Sequence, residues 1–460
     1  MRLQTTLLTV ALLGACRDQG PVANGAVGIA VSTLGLDVDS DGYMFSVDER
    51  PPQAIPINGA VIIDSLAPGA HTATLSGVAA NCSVGGSPRA VQSVANDTVH
   101  VLFSVTCTGN IVAVSAGGFH TCAITGRGAT YCWGDDRFGE LGDGRTDSAP
   151  RTSPVEVLTG LAFDSVSAGG RHTCGLTAAG ASYCWGYAGF GQLGNGTTSG
   201  PDQCPGFNGS PCSTLPVAVL GGYTFAAVSA GDYHTCGVTT QRDGYCWGQG
   251  GQLGDGTVLN RTSPVAVFGG LKFATLSAGD EHTCGLSAGG VAYCWGSGGV
   301  GGSNIYDPAG PVPVTGGLTF AALSAGGGFT CAVATGGTAY CWGLNDRGAL
   351  GNGSLDTTGT SQSGPGPVIG GLSFTTVDAA GYTCGLAGTG LAYCWGFIYG
   401  ASPVAVNAGL TFATVSSGYE HTCGLTTGGV LYCWGWNDHG QLGDGTIAAR
   451  TTPVKVIGQP

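Results

Sequence analysis

His120-Thr121-Cys122-Ala123-Ile124, a turn, then Tyr131-Cys132-Trp133-Gly134 is the stretch whose reading decides the fold. The pattern returns as Cys174…Tyr183-Cys184-Trp185, Cys236…Tyr245-Cys246-Trp247, Cys284…Tyr293-Cys294-Trp295 and Cys331…Tyr340-Cys341-Trp342. Cys384…Tyr393-Cys394-Trp395 and Cys423…Tyr432-Cys433-Trp434 complete seven copies, each with cysteines ten positions apart. If Cys122 faces Cys132 across a hairpin, Ala123 faces Tyr131 and Thr121 faces Trp133. Side chains alternate between the faces of a strand, so the cysteines share one face and Tyr and Trp the other. The residue facing each Tyr is always Gly or Ala, which predicts a bulky aromatic seated over a small residue and sheets stacked closely. A disulfide inside each hairpin would staple a pair of strands too short and glycine-rich to be stable alone.

The repeat fills residues 109–460. Each unit reads V-S-A-G-x-x-H-T-C-G-L, then Y-C-W-G, then G-x-L-G-D-G-T, P-V-x-V and G-G-L-x-F. The spacing of first cysteines runs from 39 residues (Cys384 to Cys423) to 62 (Cys174 to Cys236). Glycine-rich units of this size indicate a propeller with one four-stranded sheet per repeat. The first repeat starts without a P-V-x-V run ahead of it, and the last ends in Pro453-Val454-Lys455-Val456. If each such strand joins the sheet of the following repeat, the C-terminal strand completes the first blade and closes the ring. A-G-x-x-H-T-C, W-G and G-Q-L-G-D-G resemble the repeat of the regulator of chromosome condensation family. That resemblance implies a seven-bladed β-propeller serving as a binding module, or, in the namesake proteins, nucleotide exchange on a small GTPase. The export signal, paired cysteines and missing basic tail described below speak against a nuclear role.

Nineteen cysteines include the seven repeat pairs, Cys82 with Cys107, Cys204 with Cys212, and Cys16 alone. Pairing at this density implies an oxidising compartment. Zinc would want C-x₂-C knuckles, and the sequence has none. Arg2 precedes an apolar run ending in Leu13-Gly14-Ala15-Cys16, so residues 1–15 read as a signal peptide too short to span a membrane. The last four residues resemble a bacterial lipobox, which implies lipidation of Cys16 and a tether over 16–26; plain cleavage after Ala15 is the alternative. The expected location is the outer membrane or cell surface, the protein touching the membrane through its lipid alone. Net charge is −13 with two lysines, Lys272 and Lys455, which disfavours nucleic acid as a partner.

Residues 27–108 carry seven short β-like runs (27–33, 43–48, 54–57, 60–63, 70–76, 89–95 and 98–106) between Gly, Pro and Asn/Asp turns. They predict a small β-sandwich closed by Cys82–Cys107. Leu66-Ala67-Pro68-Gly69-Ala70-His71 resembles PEGA-type or carboxypeptidase-regulatory-like modules, which implies a spacer or adhesive platform. Asp37, Asp39, Asp41 and Asp48 follow the spacing of a calcium loop, though an Asp-rich solvated turn between strands, which needs no metal, is the better reading. No other cofactor is expected.

Signs of catalysis are absent from the sequence. His120, His172, His234, His282 and His421 share one repeat position, filled by Phe329 and Tyr382 in the other two. A ring of imidazoles could hold metal or move protons; replacement by aromatics favours packing and turn-fixing hydrogen bonds. The G-x-L-G-D-G stretches at Asp143, Asn195, Asp255, Asn352 and Asp444 lack the Lys and Ser/Thr of a phosphate-cradling loop and read as turns. Differences between repeats are more telling, because function sits on loops held by a rigid scaffold. The second repeat inserts Thr197–Leu215 with Phe207, the fourth departs at Ser297–Gly310 with Tyr306, and the fifth departs at Ser354–Gly366. Phe138, Tyr187, Phe190, Phe397, Tyr399 and Trp436 follow Trp-Gly pairs and are candidates for an aromatic binding rim. The expectation is an all-β, monomeric, non-enzymatic propeller that binds a protein or polysaccharide. A structural envelope component and an exchange-factor-like regulator are the alternatives.

Overall fold

The computed structural model describes residues 23–37, 41–206, 209–297, 307–355, 361–406 and 408–459. Among them the regular structure is all β, in two compact units: one up to Cys107 without Gly35–Asp37, the other from Thr108 onward with Gly35–Asp37.

The first unit has eight strands: β1 (Gly25–Gly35), β2 (Tyr43–Val47), β3 (Gln53–Ile55), β4 (Ala60–Leu66), β5 (Gly69–Ser76), β6 (Cys82–Gly85), β7 (Arg89–Ser93) and β8 (Thr98–Cys107). They form two sheets, ordered β4-β1-β8-β6 and β3-β2-β5-β7. Every second residue of β8 from Val101 is buried, and Val27, Ile29, Phe103 and Val105 of one sheet meet Tyr43, Phe45, Ala73 and Leu75 of the other. The sequence did not signal β6; its Cys82 pairs with Cys107 inside one sheet, not between the two.

The second unit is a propeller of seven sheets, six with four strands and one with five. Blade 1 runs β9 (Ile111–Ala116), β10 (His120–Thr125), β11 (Thr130–Asp136) and β12 (Asp147–Glu156), hydrogen-bonded in that order. The expected hairpin register holds: Cys122 faces Cys132, Ala123 faces Tyr131 and Thr121 faces Trp133. The same pairing repeats in the other six blades. In each, a disulfide joins the facing cysteines, with Cα atoms 4.1 Å apart in blade 1.

Two expectations are corrected. The P-V-x-V strand does not join the next repeat: Val155 faces Cys132 of its own blade, and Val454 faces Cys433 of the seventh. The G-x-L-G-D-G turns double the chain back onto the strand it has just left, so pairing is local. The ring therefore closes by packing, not by strand exchange. The small residue opposite each Tyr is not there for the Tyr ring either. A Cβ on Gly237 would lie 2.7 Å from Phe225, and one on Gly385 would lie 2.7 Å from Phe374. The aromatic over the glycine is the Phe of G-G-L-x-F, which enters the same blade from its own N-terminal side.

Packing between blades is one scheme used seven times. The disulfide of blade 1 shares a buried cluster with Trp185, Tyr183 and Phe163 of blade 2. The disulfide of blade 7 shares one with Trp133 and Tyr131 of blade 1, where Ile111 and Leu36 occupy the place of the Phe. The seven tryptophans of the Y-C-W hairpins are each at most 1% exposed. Polar seams run alongside. His120 Nε2 donates to Thr173 Oγ1 of the next blade (2.8 Å), and Thr173 Oγ1 donates to the Glu140 carbonyl (3.0 Å), which also takes Trp185 Nε1–H (2.7 Å). His172–Thr235, His234–Thr283 and His282–Thr330 repeat the first bond at 2.8 Å, and His421–Thr121 closes the circle at 2.7 Å. Tyr382 takes the histidine's part toward Thr422 at 2.8 Å.

Nearer the axis, the Ala168 N–H donates to Ser115 Oγ (2.9 Å), and equivalent bonds reach Ser416 Oγ from the Ala116 N–H (3.0 Å). Blade 6 substitutes Asp378 for this serine and receives the Ser417 N–H at 2.8 Å. The glycine of S-A-G is needed because neighbouring backbones nearly touch: a Cβ on Gly279 would sit 2.6 Å from the Gly326 carbonyl oxygen. So V-S-A-G-x-x-H-T-C is a seam sequence, and the histidine ring is a set of neutral hydrogen-bond donors. Full burial lowers His120 and His282 to about 4 and His172, His234 and His421 to about 3.

Thr283→Val keeps the shape but removes the acceptor for His234 and the donor to the Gln252 carbonyl (2.8 Å). It should cost about 1–3 kcal/mol in chemical denaturation under non-reducing conditions. A second outcome follows from the imidazoles. The unfolded chain takes up protons near pH 6.5 while the folded one resists to about 3 to 4, so stability is present above 6.5 and is lost as pH falls toward 4. Denaturant midpoints should fall over that window, and His234→Gln should make the fall shallower.

Candidate functional site

The seam uses the side chains of A-G-x-x-H-T-C outside x-x. The first x contributes only its backbone, as when the Gly118 N–H donates to the Gly169 carbonyl (2.9 Å) and the Gly170 N–H to the Gly231 carbonyl (3.0 Å), so the x-x side chains are not needed by the seam. Those turns meet the loops after the Trp-Gly pairs at one end of the propeller. Phe119 packs against His439 at a tilt (4.9 Å between centroids) and meets Tyr419 edge-on (5.7 Å). Arg171 lies over the rings of Phe138 (5.8 Å) and Tyr233 (5.2 Å), and its guanidinium also bonds the Tyr233 hydroxyl. Tyr233 meets Phe190 edge-on at 5.1 Å, and Tyr187 joins Phe138, Phe190 and Tyr233. This gathers the first three blades into one aromatic cluster around a cation.

The inner strands surround an axial cavity of about 170 Å³, lined by the Ser-Ala-Gly runs of five blades, by Asp378-Ala379-Ala380 and Ser416-Ser417-Gly418 of the sixth and seventh, and by Asp232, Asp280 and Tyr419. Tyr419 shares this lining with Asp232 and Asp280, and burial, with the two carboxylates adding to it, holds its hydroxyl well above the ordinary tyrosine range. Burial, reinforced by the Asp232 charge, raises Asp280 to about 7. Burial also raises Asp232 against the pull of Arg171, whose Nη1 is 3.9 Å from Oδ1. The aromatic cluster and this carboxylate pair are adjacent, since Asp232 and Tyr233 are consecutive.

The sequence-predicted rim divides. Tyr187 and Phe190 lie half-buried in the cluster, and Phe397 is half-buried beneath Arg347 (4.6 Å). Tyr399 is half-buried against Tyr382 (5.4 Å), and Trp436 is 39% exposed. Phe138 is corrected: it is 2% exposed, part of the core. It is covered by the blade 2 insertion, whose Asp202–Cys204 strand pairs with Ser210–Ala218 and whose Gly206 N–H donates to the Arg137 carbonyl (3.1 Å). With Cys204 and Cys212 both buried and bonded, the insertion is a brace across two blades as well as a variable loop. Phe207, Tyr306 and Cys16 lie outside the described residues. Arg171, Tyr233, Asp232, Asp280, Phe119 and Tyr419 were missed. Their signal was present: x-x carries charge or an aromatic ring in some repeats and only glycine in Gly327-Gly328.

Two further constellations lie in the first hundred residues. His71 Nδ1 lies 2.6 Å from Asp48 Oδ2 and His71 Nε2 lies 3.0 Å from Ser93 Oγ, a triad by distance. Its protons are arranged otherwise. Nε2–H donates to the Ala67 carbonyl (2.8 Å), Ser93 Oγ–H donates to the same carbonyl (2.6 Å), and Ser93 is 2% exposed. The Asp48 carboxylate and the Ala67 carbonyl raise His71 above its usual value, so it is an imidazolium fixing a turn and has no lone pair to activate a serine. Of the calcium candidates, Asp37 accepts Thr125 Oγ1–H (2.6 Å) and Asp48 accepts His71 and the Thr72 N–H (2.8 Å). Asp41 is exposed and Asp39 lies outside the described residues. Among described residues no three His, Cys, Asp or Glu side chains are grouped to hold a metal ion.

The fold and its seams define a repeat-built, seven-bladed β-propeller, an architecture that can mediate protein binding. Models of the regulator of chromosome condensation (RCC1) repeat match residues 111–301, 320–349 and 412–460, more than half of the chain, which therefore belongs to that family. Among curated relatives, the ultraviolet-B receptor UVR8 of Arabidopsis thaliana is 34% identical over 161 residues, a third (34%) of each chain. The human E3 ubiquitin-protein ligase HERC2 is 29% identical over 220 residues, 46% of this chain and 4% of the ligase. Among solved structures, Prp20p of Saccharomyces cerevisiae superposes with a TM-score of 0.62 at 18% identity, covering 72% of this chain and 87% of its own. Human WBSCR16 gives 0.62 at 19% identity, covering 71% and 94%.

Phe138→Ala should behave as a core truncation, lowering stability by about 3–5 kcal/mol in chemical denaturation. Trp436→Ala, at an exposed site, should leave the midpoint nearly unchanged.

Proposed function

We propose that the chain is an exported, lipid-anchored, non-enzymatic propeller that binds a protein partner at the end carrying the A-G-x-x-H turns. The observation that carries this reading is the gathering there of Tyr187, Phe190, Tyr233 and Arg171 beside the Asp232–Tyr419–Asp280 opening. Half-buried aromatics and Arg next to fixed charges are the composition of interface anchors. The carboxylates at the opening favour a partner that brings Lys or Arg. Nine disulfides support an oxidising location, and Leu13-Gly14-Ala15-Cys16 supports an anchor. Yeast Prp20p has been described with its binding to Gsp1p and histones, and the yeast RCC1 protein bound to Kap60. Those are partners of other proteins, but they support protein recognition by this architecture.

A photo-crosslinker placed at Trp436 or Phe190 of the full-length protein in its own cells should trap one protein partner. Changing Tyr187 and Tyr233 together to Ala should lower the yield roughly tenfold or more, as loss of aromatic anchors does. Equal trapping from the exposed outer-edge Phe268, yield indifferent to the double change, or capture of glycan alone would refute the reading.

A further inference from the structure

The loop after Trp133 differs from its sister loops in a way that binding does not use. Aligned on the Trp-Gly pair, Asp136 stands where blade 7 has Asn437 and blade 5 has Asn345, and Glu140 stands where blades 2 and 7 have Gln192 and Gln441; aligned on the L-G-D-G turn, blade 3 has Gln252 there too. Both amide positions have thus become carboxyls in one loop. In blade 7, Asn437 Oδ1 accepts the Leu442 N–H (2.9 Å), while Nδ2 donates to Asp444 Oδ1 (3.2 Å) and to the Thr446 (3.0 Å) and Ala448 (3.2 Å) carbonyls. In blade 5, Asn345 makes the same bonds to Leu350, Asn352 and Ser354. Asp136 keeps only half of this pattern. Its Oδ1 takes the Leu141 N–H (3.3 Å), and Oδ2, on a fully buried residue, has no partner. Glu140, 1% exposed, keeps the acceptor bond of its sisters through the Phe138 N–H (2.8 Å).

We propose that Asp136 and Glu140 are a proton-holding pair that makes the seam between blades 1 and 2 pH-responsive: firm while the carboxyls are protonated, loosened when they ionise. A protonated Oδ2 is a donor and restores what the Asn Nδ2 does; an ionised one presents an acceptor where its sisters place a donor. The surroundings favour the proton. Asp135 and Asp143 lie in the same loop, and Asp147 lies on β12. Arg137 is paired with Asp135 (2.6 Å); Arg151, 3.6 Å from Asp147 and 3.9 Å from Asp143, pulls Asp136 the other way, less strongly than burial and Asp143 push it up. From the second strand, His120 is neutral; from blade 2, Arg171 lies over Phe138, and Asp202 is taken by Thr214. Burial, with Asp143 adding to it, raises Asp136 to about 8, and burial with Asp135 holds Glu140 well above its ordinary range. The loop matters to the seam because the Glu140 carbonyl receives both Thr173 and Trp185 of blade 2.

The sign follows. Folding takes up protons that the unfolded carboxyls have lost, so stability from this pair is full below the unfolded value near 4 and declines as pH rises to about 8. In the full-length, disulfide-intact protein, Asp136→Asn should shift the denaturant midpoint upward by an amount that is nil near pH 4 and largest above pH 8. Glu140→Gln should act in the same direction. The reciprocal Asn437→Asp should introduce a similar decline with pH at blade 7. A difference between Asp136→Asn and the parent that does not grow with pH would overturn the proposal. So would a parent midpoint at pH 8 raised by millimolar calcium, which would make the site one for a cation instead of a proton. Asn437→Asp serves if Asp136→Asn fails to fold, since a pH-independent Asn437→Asp would overturn it equally.

Discussion

Each seam of the propeller depends on one hydroxyl. At four seams the Thr of H-T-C (Thr121, Thr173, Thr235 and Thr283) receives a histidine from the blade before it and donates to a loop carbonyl of that same blade, a carbonyl shared with its own blade's tryptophan indole. This fixes the relative height of two sheets with three bonds in a site closed to water, where an unmade bond carries its full desolvation cost. Packing alone would let flat, glycine-rich sheets slide over one another. Where the repeat departs, the seam thins. Phe329 brings no hydrogen to Thr383, whose bond to the Ala349 carbonyl lengthens to 3.5 Å, and the Trp342, Trp395 and Trp434 indoles lack a partner among the described residues. Those seams rely more heavily on tryptophan against disulfide.

The disulfide consequently has two roles. It joins strands within a blade, and its buried face is the wall against which the next blade's Trp and Phe lie. That explains the constancy of Cys…Tyr-Cys-Trp across all seven repeats better than stapling alone, since neither element could change without the other's neighbour losing its surface. Any cysteine loss would thus be felt in two blades.

The hairpin register, the pairing partners and the number of blades were legible because a spacing of ten with facing cysteines admits one alternation. Two readings failed for a shared reason: sequence shows which residues recur but not which neighbour they address. The P-V-x-V strand could pair with the hairpin before or after it, and only the doubling back of the glycine turn selects the former. The glycine under the Tyr was correctly read as a close approach, yet the intruding ring comes from Phe225 and its equivalents, some twelve positions upstream. The aromatics after Trp-Gly show the same limit. Phe138 and Trp436 look alike in sequence, and a brace from another blade buries the first and not the second. The turn residues were overlooked because the histidine beside them drew the chemical argument, although the seam had already consumed that histidine.

A ring built from near-identical seams is symmetric wherever it is load-sharing, so any specificity must come from positions the seam leaves free. These are few: the x-x pair of each turn and the residues between Trp-Gly and the glycine turn. Their distribution is lopsided. Arg171, Asp232-Tyr233 and Asp280-Glu281 crowd three consecutive blades, Tyr419-Glu420 adds the seventh, and the fifth offers Gly327-Gly328. Blade 1 contributes little to this set beyond Phe119, while its own loop carries the buried carboxyls Asp136 and Glu140. Selection for a stable ring would not produce such asymmetry, because Gly at x-x suffices for the seam in blade 5. Charge and aromatic rings gathered on one arc of one end are therefore the part of the molecule that the fold does not require.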